Sequence, residues 1–426
     1  MTRLSPSVFK IPTDKLRCGY YTDRYFLRTR DVLIRDHREI RVAYQFFPRE
    51  DSVVCGLDEA IAILKTCSGM YQDLHRAELL YQKLRETQWN FQDASLQQDE
   101  EKILEWSEKR THVREQLNRL WVNGWKDLSV YARYDGDRVK KNEPVLGIVG
   151  DPKLFVHLET PLLGVIARPT ATATAVDEVV RAARGKQILF FSARFDHYWV
   201  QTTDGYSALK AGAFAVSTDA NADYWGLESI GTIPHILIGS YEGDTGEAFL
   251  AFDHHTDPSV NRVALVDWDN DCIGTTRKVI ERIILAQDPT VRSLTPSLFK
   301  KLAPKVIGPG KGKLWGVRLD TSGQLRDKSV RAKDGYGVCP ELVRKARREF
   351  DRWGCRRLKI VVSGGFDAER IRRFERLRSP VDAYGVGSTL LRKRVDVTAD
   401  IVEYNGKPCA KVGRTKGNWS KLERVK

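Results

Sequence analysis

A chain of 426 residues with a formal net charge of +14, 42% hydrophobic and 30% charged, has the composition of a globular protein long enough for two packed units rather than one core. No stretch approaches the ~18 apolar residues of a membrane span, and Met1 to Lys10 lacks the apolar run and cleavage site of a secretory signal, so no membrane partner is expected. The seven cysteines are scattered without a CxxC pair, which argues against a zinc site and for a reduced, cytoplasmic setting.

In chain order, Tyr20–Leu33 and Glu39–Phe47 carry apolar and aromatic residues suited to strands or short helices, and Asp58–Met70 reads as a helix. From Met70 to about Leu120 the chain is rich in Glu, Gln, Lys, Arg and Leu, with no later Pro or Gly, and predicts a helical hairpin with charged solvent faces. Leu128–Gly150 predicts strands, with turns at Asp135-Gly136 and Asn142-Glu143-Pro144.

From about Thr160 short apolar runs alternate with helical segments. The predicted strands are Ile188–Phe191, Ala213–Ser217, Ile233–Ile238, Val263–Asp267, Leu314–Leu319, Leu358–Ser363 and Ala383–Val386. Val176–Arg184, Thr275–Ala286, Pro340–Trp353 and Ala368–Leu377 predict helices between several of them. Repeated strand–helix units imply an α/β fold with a parallel sheet, closed as a barrel or open. In either case ligands belong at the carboxyl ends of the strands. Polar clusters stand there: Ser192-Ala193-Arg194, Ser217-Thr218-Asp219, Asp267-Trp268-Asp269, Asp320-Thr321-Ser322-Gly323, Ser363-Gly364-Gly365 and Gly385-Val386-Gly387. Val402–Lys426 returns to a short strand-like pattern and a basic end.

A basic chain suits an anion, either nucleic acid over a diffuse surface or a small polyphosphate gripped by a few focused cations. No recognised nucleic-acid-binding motif is present, so nucleic acid is not expected. Ser363-Gly364-Gly365 and Gly385-Val386-Gly387-Ser388 follow apolar strands, where glycines let backbone N–H groups cradle a phosphate, although a Gly pair by itself commonly marks a turn. Arg318 and Asp320 flank a strand end and read either as a buried ion pair or as an anion grip beside a carboxylate for ribose hydroxyls or magnesium. Asp267 and Asp269 carry the same pair of readings, with helix capping as the alternative. His235 is either structural or a neutral imidazole able to attack phosphorus. His254-His255 lacks a third ligand at metal spacing, and no metal site is expected from protein ligands alone.

At these residues the sequence resembles the nicotinate phosphoribosyltransferase family, the type II phosphoribosyltransferases, from about Tyr20 to Lys411. Gly316-Val317-Arg318-Leu319-Asp320-x-Ser322-Gly323 is similar to the family's most specific signature. Thr22-Asp23-Arg24-Tyr25 resembles the N-terminal motif whose tyrosine stacks on a pyridine ring in the neighbouring subunit, and Leu158-Glu159-Thr160 the segment before the barrel. Phe191-Ser192-Ala193-Arg194 resembles the motif whose Phe takes the other ring face and whose Arg binds ligand. Gly231-Thr232-x-x-His235 resembles the phosphorylatable-histidine motif, and Val266-Asp267 the strand end facing the ribose. Ser363-Gly364 and Gly385-Val386-Gly387 resemble the two phosphate loops, and Tyr404-Asn405-Gly406-Lys407-Pro408 the C-terminal strand. Met70–Leu120, Ser217–Asn221 and Asp267–Asp271 depart from the family pattern.

The resemblance implies an N-terminal α/β domain over 1–160 with a helical insertion at about 70–120, an irregular α/β barrel over 161–394, and a tail over 395–426 that rejoins the first domain. It implies nicotinate and 5-phosphoribosyl-1-pyrophosphate (PRPP) as substrates, Mg2+ and ATP as helpers, and a homodimer sharing its active sites. His235, Arg318, Asp320 and Asp267 would then serve catalysis. Asp23, Tyr25, Phe191, Arg194, Ser217 and Thr218 would hold substrate, and Ser363, Gly364, Gly365, Gly385, Gly387 and Ser388 phosphate. Nicotinamide phosphoribosyltransferase and quinolinate phosphoribosyltransferase are the rival readings. Counting back from Gly231-Thr232 puts Ser217 where the nicotinamide enzymes carry an Asp, with Asp219 two residues on.

Overall fold

A computed structural model describes residues 2–425. The chain forms two compact units, Met1–Ala171 with Arg394–Lys426, and Thr172–Lys393.

In the first unit, α1 (Arg24–Arg35) is a single helix rather than strands, and is followed by β1 (Val42–Pro48) and α2 (Leu57–Cys67). The charged stretch forms a hairpin of α3 (Leu74–Leu96) and α4 (Glu100–Arg119). Each helix starts on an aspartate whose carboxylate accepts a backbone N–H: Asp73 from Arg76 and Asp99 from Lys102. Tyr71, Ala77, Leu84, Val113 and Leu117 form the hairpin's small core. Two strands follow, β2 (Ser129–Ala132) and β3 (Leu146–Gly150), and then α5 (Glu159–Ala182), whose last eleven residues belong to the second unit.

In the second unit, β4 (Gln187–Phe190), α6 (Gln201–Lys210), β5 (Ala215–Val216), α7 (His235–Gly239), α8 (Thr245–His255) and β6 (Val263–Leu265) come first. Next are α9 (Cys272–Gln287), β7 (Gly316–Leu319), α10 (Pro340–Arg352), β8 (Lys359–Val362), α11 (Ala368–Arg376) and β9 (Ala383–Val386). The sheet order is β6-β7-β8-β9-β4-β5, parallel throughout. Its strands are apolar on both faces, as a sheet with helices packed against it requires. Because all six strands run the same way, their carboxyl ends share one rim.

The expected strand Ile233–Ile238 is not one. Ile230 N–H donates to Val216 O (2.9 Å) and Ile233 N–H to Val263 O (3.4 Å), so an extended segment bridges β5 and β6, which do not pair directly. Pro234 follows, and the chain turns into the short helix α7. Proline has no N–H to continue a ladder but fits immediately before a helix. This bridge makes the curled sheet irregular.

The tail supplies β10 (Val397–Tyr404), β11 (Lys407–Pro408) and β12 (Glu423–Arg424). They complete an antiparallel sheet in the first unit, ordered β11-β10-β1-β3-β2-β12, with Val42 opposite Tyr404 and Pro48 opposite Val397. Among the described residues every cysteine is a free thiol, and no helix is long and apolar enough to cross a membrane.

Candidate functional site

The carboxyl rim of the second unit's sheet opens into a cavity of about 670 Å³. Phe191, Arg194, Ser217, Thr218, His235, Arg318, Asp320, Ser363, Gly364, Gly365, Gly385, Gly387 and Ser388 all line it. Residues from Phe191 to Ser388 converge because each lies at or just beyond the carboxyl end of a parallel strand, or beside the bridging segment.

One wall is built for an anion. Gly364 and Gly365 take φ of 91° and 71°, which an L side chain rarely adopts. No hydrogen bond is donated by the backbone N–H groups of Gly364, Gly365, Gly387 or Ser388 among the described residues, which leaves them for a ligand. The loop is braced from behind by Arg370 on α11. Its Nη1 donates to Gly364 O (2.6 Å) and Gly365 O (3.2 Å), and its Nη2 to Val338 O (2.7 Å). With the Gly364 carbonyl drawn toward Arg370, the N–H of the same peptide unit, on Gly365, points the opposite way. Arg370 escapes sequence reading because Arg370, Arg372, Arg373 and Arg376 look alike in a basic helix.

The second glycine loop, Gly385–Ser388, is locked to the Phe191 segment. Phe191 N–H donates to Val386 O (2.8 Å), and the buried Ser192 hydroxyl to Gly387 O (3.0 Å). A Cβ on Gly385 would stand 2.8 Å from Cδ2 and Cε2 of Phe191, so glycine is needed for the ring to lie against the strand end.

Arg318 and Asp320 face each other at 4.0 Å, and Ser363 Oγ donates to Asp320 Oδ1 (2.7 Å). Arg318 keeps its Nε buried without a partner. Burial works against its charge and the carboxylates of Asp320 and Asp267 oppose that effect, so it is a guanidinium held ready for an anion. Thr232 Oγ1, also in the cavity wall, is buried and unpartnered.

Asp267 does not line the cavity but acts through His235, whose Nε2 lies 3.1 and 3.2 Å from its two carboxylate oxygens. The carboxylate can only accept, so Nε2 is the donor, and in the neutral imidazole that tautomer leaves the lone pair on Nδ1. Burial pushes the Asp267 carboxyl up, offset in part by His235. A buried carboxylate orienting an exposed imidazole is an arrangement suited to a nucleophilic nitrogen.

Ser217 and Thr218 sit in the wall, and Thr218 Oγ1 donates to Gln201 Oε1 (3.0 Å). Asp219 is exposed, is not among the residues of the wall, and accepts from Ser229 Oγ (2.6 Å). Gln201, Phe195 and Thr389 also line the cavity; Phe195 and Thr389 adjoin the clusters ending at Arg194 and Ser388, whereas nothing around Gln201 singles it out. Asp23 and Tyr25 belong to the first unit. There Asp23 accepts from Thr160 Oγ1 (2.9 Å) and starts α1, while Tyr25 is 58% exposed.

No family model matches the chain. The nicotinate phosphoribosyltransferase pncB1 of Mycobacterium tuberculosis is 29% identical over 289 residues, covering 67% of this chain and 55% of the relative. A nicotinate phosphoribosyltransferase of Bacillus subtilis is 24% identical over 262 residues, covering 61% and 45%. The chain spans about half the length of the curated relatives it matches. Among solved structures, nicotinate-nucleotide pyrophosphorylase from Pyrococcus furiosus superposes with a TM-score of 0.66 at 27% identity, over 96% of this chain and 82% of that one. Human nicotinic acid phosphoribosyltransferase shares the fold at 18% identity, with a TM-score of 0.55 over 92% and 77%.

Proposed function

We propose that this chain, a member of the nicotinate phosphoribosyltransferase family, joins nicotinate to the phosphoribosyl group of PRPP and releases pyrophosphate, on the route to NAD. The observation that carries this reading is the composition of one cavity: an N–H nest, a buried guanidinium and Ser217 stand together, while Asp219 stays out.

The pyridine nitrogen has a free lone pair, so its attack on the anomeric carbon needs no general base. The N–C bond forms as the bond to the pyrophosphate oxygen breaks, and negative charge grows on the leaving group. Catalysis is then positioning plus stabilisation of that charge. Phe191 offers a ring face, Arg318 a cation, and the two glycine loops their N–H groups. Ser217 can donate its hydroxyl proton to a carboxylate without repelling it, while the Thr218 hydroxyl beside it is held by Gln201.

Among the described residues no cluster of three His, Cys, Asp or Glu could hold a metal by itself. Mg2+ needs only one or two carboxylates alongside substrate phosphates and water. Asp320 offers such a carboxylate: its Oδ1 takes the Ser363 hydrogen bond, and Oδ2, 4.0 Å from Arg318 Nη2, carries no hydrogen bond among the described residues. Bound with pyrophosphate, Mg2+ would neutralise charge on the leaving group. His235 would take a phosphoryl group from ATP on Nδ1, held in position by Asp267. Tyr25 would cover the second ring face from a partner subunit, making the enzyme a homodimer, in a cytoplasmic setting.

The test is pyrophosphate release from PRPP with nicotinate, nicotinamide and quinolinate in parallel. Nicotinate is expected to be used best; a clear preference for either other acceptor refutes the assignment.

A further inference from the structure

The first unit contains a second cavity, of about 460 Å³, between α1 and the start of α3. Arg30 lies in its wall, is only 5% exposed, and has Nε and Nη1 buried without any hydrogen-bond partner. Buried guanidinium groups are normally paired, because the charged form loses its water and needs donors satisfied elsewhere. Asp31 and Glu78 also line the cavity and favour the Arg30 charge, yet among the described residues neither reaches ion-pair distance of it.

Four more arginines share this wall, and they are not equivalent. Arg17 is committed to Thr66 O (3.1 and 2.8 Å) and Asn118 Oδ1 (3.0 Å). Arg85 lies over the rings of Tyr20 (5.9 Å) and Trp89 (5.0 Å). Arg24 and Arg28 have no hydrogen bond, ion pair or ring contact among the described residues. The hydroxyl of Tyr81, in the same wall, is buried and unpartnered as well. The buried Arg30 and Tyr81 hydroxyl and the exposed Arg24 and Arg28 thus line a space large enough for a small ligand.

This space is not the Tyr25 surface. Arg24, Leu27, Arg28 and Asp31 stand at i, i+3, i+4 and i+7, one face of α1, and Tyr25, which is not in the wall, stands about 100° from Arg24 and about 60° from Arg28. Part of the wall, Leu74 to Arg85, also comes from the hairpin that departs from the family pattern.

We infer that this cavity is a separate binding site for a phosphate-bearing small molecule, with Arg30, Arg28 and Tyr81 as its recognition groups. A guanidinium fork matches phosphate oxygens in pairs, and Tyr81 adds a donor. The inference stands independently of the reaction in the other unit.

Pyrophosphate serves as the probe, with calorimetric titration and thermal melting of the whole protein. In an Arg318→Ala background, which disables the sheet-rim cavity, pyrophosphate should still bind at one site per chain and raise the melting midpoint. Adding Arg28→Ser or Tyr81→Phe should weaken that binding by roughly tenfold and fivefold, the scale of a charged and a neutral hydrogen bond. Arg30→Met should abolish it without lowering the midpoint of the probe-free protein, since an unpaired buried charge is removed. Failure of the Arg318→Ala protein to bind pyrophosphate overturns the inference. So does binding that Arg28→Ser and Tyr81→Phe both leave unchanged. Neither result touches the sheet-rim reading, which is reported by Arg318→Ala alone.

Discussion

Replacing Ser217 with Asp tests whether the half-buried wall at the end of β5 is where the substrate carboxylate rests. A serine hydroxyl donates to that carboxylate, whereas an aspartate places a second negative charge beside it. At ~4 Å separation and an effective dielectric of ~20, two unit charges repel by about 4 kcal/mol. That corresponds to a factor of roughly a thousand in rate. Arg318 lies in the same cavity and screens part of the repulsion, so the expected loss in kcat/KM for nicotinate is at least about a hundredfold. Nicotinamide can donate its amide N–H to the new carboxylate, and its use should hold or rise. Asp219→Ser is the matched control: Asp219 is exposed and bonded to Ser229, so the preference should survive. Steady-state kinetics with both acceptors on the three proteins decides the matter. A Ser217→Asp enzyme that still prefers nicotinate, or an Asp219→Ser enzyme whose preference changes, refutes the placement of the carboxylate.

His235→Ala should abolish ATP hydrolysis and ATP stimulation of synthesis while slow ATP-independent synthesis survives; an alanine variant stimulated like the parent rules out a phosphohistidine there. Mixing inactive Tyr25→Ala and Arg318→Ala proteins should restore activity if each damages a different half of a shared site, and complete inactivity of the remixed dimers contradicts the arrangement. Burial, with Asp135 adding to it, pushes the Glu59 carboxyl up to about 7. The folded state then binds the proton more tightly than the unfolded chain, so stability is greatest below the ordinary carboxyl range and falls as pH rises toward 7. Glu59→Gln should remove that fall, worth on the order of 2 kcal/mol after allowance for partial exposure, in denaturant melts at pH 5 and pH 8. An identical pH profile in the variant would show that Glu59 is not the responsible group.

Much of the second unit was written locally. Apolar runs of four or so residues, each followed by Ser, Gly, Asp or Arg, announced parallel strands and their ligand-bearing ends, because a strand covered on both faces must be apolar and must stop where polar groups begin. Gly316–Gly323 and the two glycine loops stood out because their backbone and side-chain demands are met within a few residues. The helical hairpin was equally legible from the lack of Pro and Gly and from its charge spacing.

Tertiary structure alone decided the rest, since those choices depend on partners far away in sequence. The apolar run at Ile233–Ile238 suits a strand or a helix; the gap between β5 and β6 draws Ile230–Ile233 into bridging, and Pro234 releases the remainder into α7. Ser217 and Asp219 are two residues apart, and only the turn after β5 determines which one faces the cavity. Arg370 and Arg30 lie in helices where several arginines look alike. One becomes a brace because Gly364 O, Gly365 O and Val338 O converge on it. The other is left buried without an ion pair because Asp31 and Glu78, in the same cavity wall, stop short of it, and burial of a charge is a property of the packed chain rather than of any local run of residues.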